Sequence, residues 1–379
     1  MKIRFAAKLP GAAALSLLLV IGSLLASPEV VGCQINFRFL YLGLNSSQES
    51  TYETAVADFD GDGHVDLAVP ITLVGTIQIY RSNGDGTFAA PVGYPANGFV
   101  VSITAGDFNG DGKPDLAAAT PEGGVRIFLN DGSGGFGNST LFPAGSYASQ
   151  VVAADFNGDG KLDLTVPDFD AGTNQVLLGD GQGGFGTPIS SLGGGGNVVA
   201  GDFNSDGKMD LGVATTDLKI LLGDGAGGFA VGNSYSVGPG NPTHLAMADF
   251  NHDGTLDLAV AVINAERQVY TFLGNGMGAF IPSTPVASID PWGVAAVDLD
   301  GDGNVDIVTA NYGYNTVSFA KGNGRGRFGA SRSYPLPRNP KQPFPINLTT
   351  GDFNEDGLPD LITSDYGTGG ATVALTHCR

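Results

Sequence analysis

Residues 107–116 read Asp-Phe-Asn-Gly-Asp-Gly-Lys-Pro-Asp-Leu, and this phrase decides the fold because the chain repeats it. Near copies begin at Asp58, Asp155, Asp202, Asp249, Asp298 and Asp352, with steps of 49, 48, 47, 47, 49 and 54 residues. A period near 48 marks an array of like supersecondary units, so the fold follows from the repeat rather than from length. The units run from about residue 34 to 377 with no linker between them. One repeat domain over 33–379 is expected, although 379 residues would otherwise allow two or three domains.

Within the unit at 99–141, short apolar runs alternate with turn clusters. Phe99–Ala105 leads into the phrase, Leu116–Ala119 leaves it, and Val125–Leu129 follows the turn at 121–124. A second turn at 130–135 ends at Phe136, which is expected to open a fourth run. Short β-rich runs between Gly, Asn and Asp clusters are all-β signals, and four per repeat make a propeller blade. No segment carries apolar residues at helical spacing. The second turn recurs up to Phe88, Phe185, Phe229, Phe280 and Phe328, and its Phe is read as packing between blades.

The seventh repeat lacks that second turn and ends as a third strand at Cys378. Ile35–Leu42 precedes the first phrase, and Phe39 lies 19 residues before Asp58 as Phe88 does before Asp107. The fold class expected is therefore all-β: a seven-bladed β-propeller of four-stranded blades, the last closed by the N-terminal strand. Cys33 and Cys378 then stand where the missing turn would be. A disulfide there would close a long loop and contribute at most about 5 kcal/mol in the chain-entropy model.

The ends of the chain bound its location. Lys2, Arg4 and Lys8 precede an apolar stretch from Ala12 to Ala26, which is short for a bilayer span and suits a secretory signal over 1–32. The mature chain is expected to be secreted or at the cell surface. Val30, Val31, Gly32 and Cys33 also resemble a lipoprotein signal, which would anchor Cys33 to lipid, but Pro28 and Glu29 interrupt the approach. No later segment is apolar over a membrane's thickness.

The phrase is rich in oxygen. Calcium takes six to eight oxygen ligands on a flexible loop, and the phrase offers side-chain oxygens at positions 1, 3, 5 and 9 with a carbonyl at 7. In the second copy these are Asp107, Asn109, Asp111, Asp115 and the carbonyl of Lys113. The first copy has Asp58, Asp60, Asp62 and Asp66, and the third Asp155, Asn157, Asp159 and Asp163. The fourth has Asp202, Asn204, Asp206 and Asp210, and the fifth Asp249, Asn251, Asp253 and Asp257. The last two have Asp298, Asp300, Asp302 and Asp306, then Asp352, Asn354, Asp356 and Asp360. Up to seven calcium ions are expected, with room for one weak or empty loop. This is no EF-hand, since position 12 is Val69 or Ala118 and strands flank the loop. A Gly-Asp turn held by its own hydrogen bonds would explain one copy. Seven complete copies favour a cation, because converging carboxylates repel without one.

Two phrases carry a resemblance. Val152–Leu164, with its Ala-Asp-Phe-Asn-Gly-Asp-Gly-Lys core, and Leu177–Gly186 resemble FG-GAP/VCBS repeats, the repeats of integrin α-chain propellers and of many secreted bacterial proteins. The resemblance covers nearly all of the mature chain. It implies calcium in the hairpin between the first two strands of each blade. It also implies that ligands dock on the opposite face, where Asp168, Phe169, Asp170, Trp292, Tyr312, Tyr314, Asp365 and Tyr366 would lie. Exposed aromatics beside acids suit sugar or protein.

Composition removes other classes. Lys+Arg 18 against Asp+Glu 38 gives a net charge of −20, which disfavours nucleic acid and anionic membrane. The one basic cluster, Arg325, Arg327, Arg332, Arg338 and Lys341, reads as a partner patch or as a solvated loop. Four His, at 64, 244, 252 and 377, form no Ser-His-Asp or Cys-His arrangement, and two lie inside the metal loops. The function expected is a monomeric, non-catalytic, calcium-binding adhesion scaffold with an unknown protein or glycan ligand. The alternative is a lectin of the same fold, as in a fungal sugar-binding family that holds sugar between blades; a polysaccharide-active enzyme is a third reading.

Overall fold

The computed structural model describes residues 34–43, 52–263, 267–338 and 342–378. The expected signal at 1–32, Cys33 and Lys341 lie outside them. Seven antiparallel sheets follow one another along the chain, and six of them are meanders of strands neighbouring in sequence. The first strands are Ala55–Ala57, Ser102–Gly106, Val152–Ala154, Asn197–Gly201, Asn241–Ala248, Pro291–Val297 and Pro345–Gly351. Each packs against the first strand of the next blade, and the seventh packs against the first, so the ring is closed. These strands therefore line the axis. The second strands are buried along their whole length, as at Asp115–Thr120 and Asp360–Asp365, except at Ile263, the half-buried end of the fifth.

Closure follows the expected route. The seventh sheet contains Pro345–Gly351, Asp360–Asp365, Gly370–Cys378 and, outermost, Ile35–Gly43. Ile35 stands opposite Cys378 and Gly43 opposite Gly370. An N-terminal strand on a C-terminal one makes ring integrity depend on both, and it gives the seventh blade its fourth, outermost strand.

Blades are joined by paired aromatic rings. The Phe of the second turn packs on the Phe at position 2 of the preceding metal loop: Phe136 on Phe59, Phe185 on Phe108, Phe229 on Phe156, Phe280 on Phe203, Phe328 on Phe250 and Phe88 on Phe353. Ring centroids are 5.3–5.8 Å apart in tilted or edge-to-face geometry. Each pair is worth about 0.5–1.5 kcal/mol beyond its burial. The seventh blade lacks a second turn, and there Phe39 joins the cluster around Leu299 of blade six.

One boundary differs from the sequence reading. Phe136 does not open the fourth strand, which begins at Thr140; it sits in an isolated bridge to Asn130. Phe229 and Phe280, whose rings make the same contact, do open their fourth strands, so this boundary varies from blade to blade.

Candidate functional site

Every copy of the acidic phrase forms the loop between the first and second strands, so all seven loops lie at one end of the ring. Position 1 organises each loop from within. Asp58 Oδ1 accepts the N–H groups of Gly61 and Asp62, and Oδ2 accepts that of Gly63. Asp62 Oδ1 takes the N–H of His64, and Asn109 Oδ1 takes that of Asp111. The curve needs a left-handed residue at position 4, which is Gly110 at φ 76° in the second copy. Three copies place a non-glycine residue there, Ser205, His252 and Glu355, at φ 57–59°.

Position 9 does more than the sequence reading assigned to it. Asp163 is fully buried, and its two oxygens accept the N–H groups of Phe156 and Gly179 at 2.9 and 2.7 Å. Asp66, Asp115, Asp210, Asp257, Asp306 and Asp360 each bridge the same two points of their blades, the metal loop and the end of the third strand. Burial pushes Asp66, Asp115, Asp163 and Asp257 up to about 6, and Asp306 and Asp360 to about 7, against the lowering effect of those N–H groups. Asp210 is raised for the same reason.

Two loops gather carboxylates closely enough for one ion. Oxygens of Asp58, Asp60 and Asp66 lie within 4.8 Å of one another, as do those of Asp298, Asp300 and Asp302. The buried Asp60 Oδ1 and Asp300 Oδ1 have no hydrogen-bond partner. A buried carboxylate oxygen without a donor is costly unless a cation meets it, so both loops fit a hard, oxygen-seeking metal. In the other five loops position 3 is Asn.

A basic side chain enters both all-acid loops, and this went unread in the sequence. Arg81 Nε lies 3.5 Å from Asp60 Oδ2. Lys321 Nζ is 2.8 Å from Asp302 Oδ2 and also bonds Asp300. Burial opposes the Lys321 charge, but the hydrogen bonds to Asp300 and Asp302 outweigh it and raise its pKa. Arg81 and Lys321 hold the same place, at the end of the third strand; there the five blades with Asn at position 3 carry Leu129, Leu178, Leu222, Leu273 and Leu375. The signal was present as a paired exchange: Asp with a base, Asn with Leu.

The other end of the ring carries the starts of the first strands and the turns between strands two and three. Trp292 packs on Tyr312 at 4.8 Å, Tyr312 meets Phe344 at 5.2 Å and Tyr366 at 6.2 Å, and Tyr366 meets Tyr52 at 5.9 Å. This belt brings together Trp292, Tyr312 and Tyr366 from the sequence reading and adds Tyr52 and Phe344. Phe169 pairs instead with Tyr147 on blade three, and Tyr314 lies under Arg267. The expected acids do not all join them. Asp168 is buried and accepts from the Ser146, Tyr147 and Ala171 backbones; Asp365 is buried and bonded by Thr363 and Thr372. Asp170 is exposed. Arg325 and Arg327 lie in the second turn of blade six, whereas Arg332 lies on its outer strand against Tyr334.

A cavity of about 270 Å³ opens beside the belt on the axis, and every blade contributes to its wall. Glu53, in this cavity, accepts from Ser102 Oγ and, at 3.2 Å, from Gln150 Nε2. Gln150 Oε1 in turn accepts the N–H of Val198 at 2.7 Å, so blades one to four are tied around the axis. Burial pushes Glu53 up to about 7 and His244 down to about 4.

A family model of the FG-GAP-like repeat matches residues 58–118, 107–166, 257–309 and 298–363. The chain is therefore an FG-GAP-like repeat protein, built as a seven-bladed propeller. No curated protein sequence matches it. Among solved structures, the BP39L lectin from Burkholderia pseudomallei is similar at TM-score 0.65 and 15% identity, covering 88% of this chain and 97% of that one. An Agrocybe aegerita lectin that recognises non-reducing terminal N-acetylglucosamine is similar at TM-score 0.58 and 19% identity, covering 90% and 94%. BBS1N, solved in complex with ARL6DN, is similar at TM-score 0.60 and 14% identity, covering 90% and 98%. At these identities the likeness shows the fold alone. Among the described residues no helix is long and apolar enough to cross a membrane.

Proposed function

We propose that this protein is a secreted, non-catalytic binding propeller whose acidic loops hold calcium and whose opposite face takes a glycan. The observation that carries the ligand reading is the belt from Trp292 through Tyr312 and Tyr366 to Tyr52. Ring faces gathered beside a polar cavity suit the apolar face and hydroxyls of a sugar. The likeness to two lectins supports the same class. BBS1N, which was solved with a protein partner, keeps a protein ligand as the second reading.

Calcium is the reading for the loops because their donors are all oxygen: carboxylates or an amide at positions 1, 3, 5 and 9, and the carbonyl at 7. Such an ion would neutralise converging carboxylates and fix each hairpin. Secretion rests on the apolar segment before Ser27, and a Cys33–Cys378 disulfide on the strand pairing that sets Ile35 opposite Cys378. Non-reducing intact mass separates a disulfide, two hydrogens lighter, from a lipid added at Cys33. A glycan array probed with the calcium-loaded mature chain tests the function: specific hits support it, and a silent array together with a captured protein partner replaces it with the second reading.

A further inference from the structure

The axial cavity carries polar groups that the ring does not use. Among the described residues, neither nitrogen of His244 has a hydrogen-bond partner. Asn197 spends its amide N–H on Thr243 O and leaves its oxygen free. Asn347 spends its oxygen on the N–H of Leu348, and its NH2 has no partner among the described residues. Glu53 is engaged by Ser102 and Gln150 but keeps acceptor capacity on its carboxyl oxygens, and Trp292 and Tyr52 add ring faces.

The chemistry of this lining selects a ligand class. Among the described residues no Lys or Arg lines the cavity, so an anion finds no counter-charge there. A bare ammonium would use only acceptors and leave the Asn347 and imidazole donors unpaired, which is costly in a buried site. Hydroxyls donate and accept, and so meet both kinds of group. Drug-sized ligands occupy pockets of about 300–1,000 Å³, and 270 Å³ falls just below that range, enough for a single ring.

We propose that the axial cavity binds one neutral pyranose unit per chain, its hydroxyls meeting Glu53, Asn197, His244 and Asn347 and its apolar face lying on Trp292 or Tyr52. This rests on the glycan reading above and sharpens it: the site is single and on the axis, not repeated between blades.

Trp292 is the only tryptophan in the chain, so its fluorescence reports on this cavity in the unaltered protein. The test titrates calcium-loaded protein with methyl glycosides of neutral hexoses and N-acetylhexosamines, with choline chloride and inorganic phosphate as parallel arms. A saturable change in tryptophan emission with a neutral glycoside, one site per chain by calorimetry, is expected. Tyr52→Ala and Asn347→Ala should each weaken that binding about tenfold. Glycoside binding at several sites with silent tryptophan emission overturns the axial site but leaves the glycan reading standing. A response to choline or phosphate alone also overturns it. No response to any glycoside overturns it, and the glycan reading falls with it only if the array is silent too.

Discussion

Lys321 Nζ lies 2.8 Å from Asp302 Oδ2 and bonds Asp300 as well, so an ammonium stands at the mouth of the sixth acidic loop. A calcium ion there must compete with a charge supplied by the chain. Lys321→Leu, which installs the residue found in five other blades, should tighten calcium binding at that loop about tenfold or more. The same variant should melt lower than the parent in chelator, because three carboxylates then face one another without a base. Calcium titration by calorimetry checks the first effect, and unchanged stoichiometry and affinity would contradict it.

Position 9 and position 5 should separate in the absence of metal. Asp163 holds two buried N–H groups, whereas the Asp159 carboxylate accepts only the N–H of Lys161 at the exposed rim and pairs with its ammonium. Asp163→Ala should therefore cost at least about 2 kcal/mol even in chelator, since both N–H groups lose their acceptor. Asp159→Ala should match the parent in chelator and fall below it only with calcium present. Denaturant melts in both conditions read the difference.

Ser205 is exposed and sits at φ 58°, where four other copies use glycine. A side chain in that region costs about 1–2 kcal/mol, and glycine's extra freedom in the unfolded chain returns part of it. Ser205→Gly should stabilise the ring by about 0.5–1 kcal/mol, read as a higher urea midpoint at unchanged slope.

Glu53 should give stability a dependence on pH. Its pKa rises from 4.5 to about 7 because burial disfavours the charged form. The folded state thus holds a proton that the unfolded chain has released. The resulting stability is fully present below 4.5 and is lost as pH rises through 7. Glu53→Gln stays neutral throughout, so it should gain on the parent as pH climbs from 4.5 to 7 and hold that gain above. Taking the difference between the two proteins removes the titration of the acidic loops, which both share. A constant difference across the window would contradict the assignment.

Much of this was legible because the repeat is also the chemistry. The seven loops, the ring, and its closure through Ile35–Gly43 follow from the spacing of Asp58, Phe39 and the truncated last repeat. The double use of Asp163 was not legible, because its two N–H partners come from chain segments that only the folded blade brings together. Asp168 and Asp365 looked like surface acids in loop contexts, yet each is buried at the end of a second strand. Tyr52 and Phe344 belong to no repeated phrase; Phe344 joins the belt where blade seven meets blade six, and Tyr52 only once blade seven meets blade one. The axial cavity takes residues from all seven blades, so no local pattern could announce it.

The proposed role of metal in the acidic loops is to hold the ring. Thermal melting of the mature chain with calcium and with excess chelator, alongside metal content by mass spectrometry, tests it most directly. Bound calcium is expected, with a markedly lower melting temperature after its removal that is restored on adding calcium back. A melting temperature unchanged by chelator, in a chain shown to be metal-free, would contradict it.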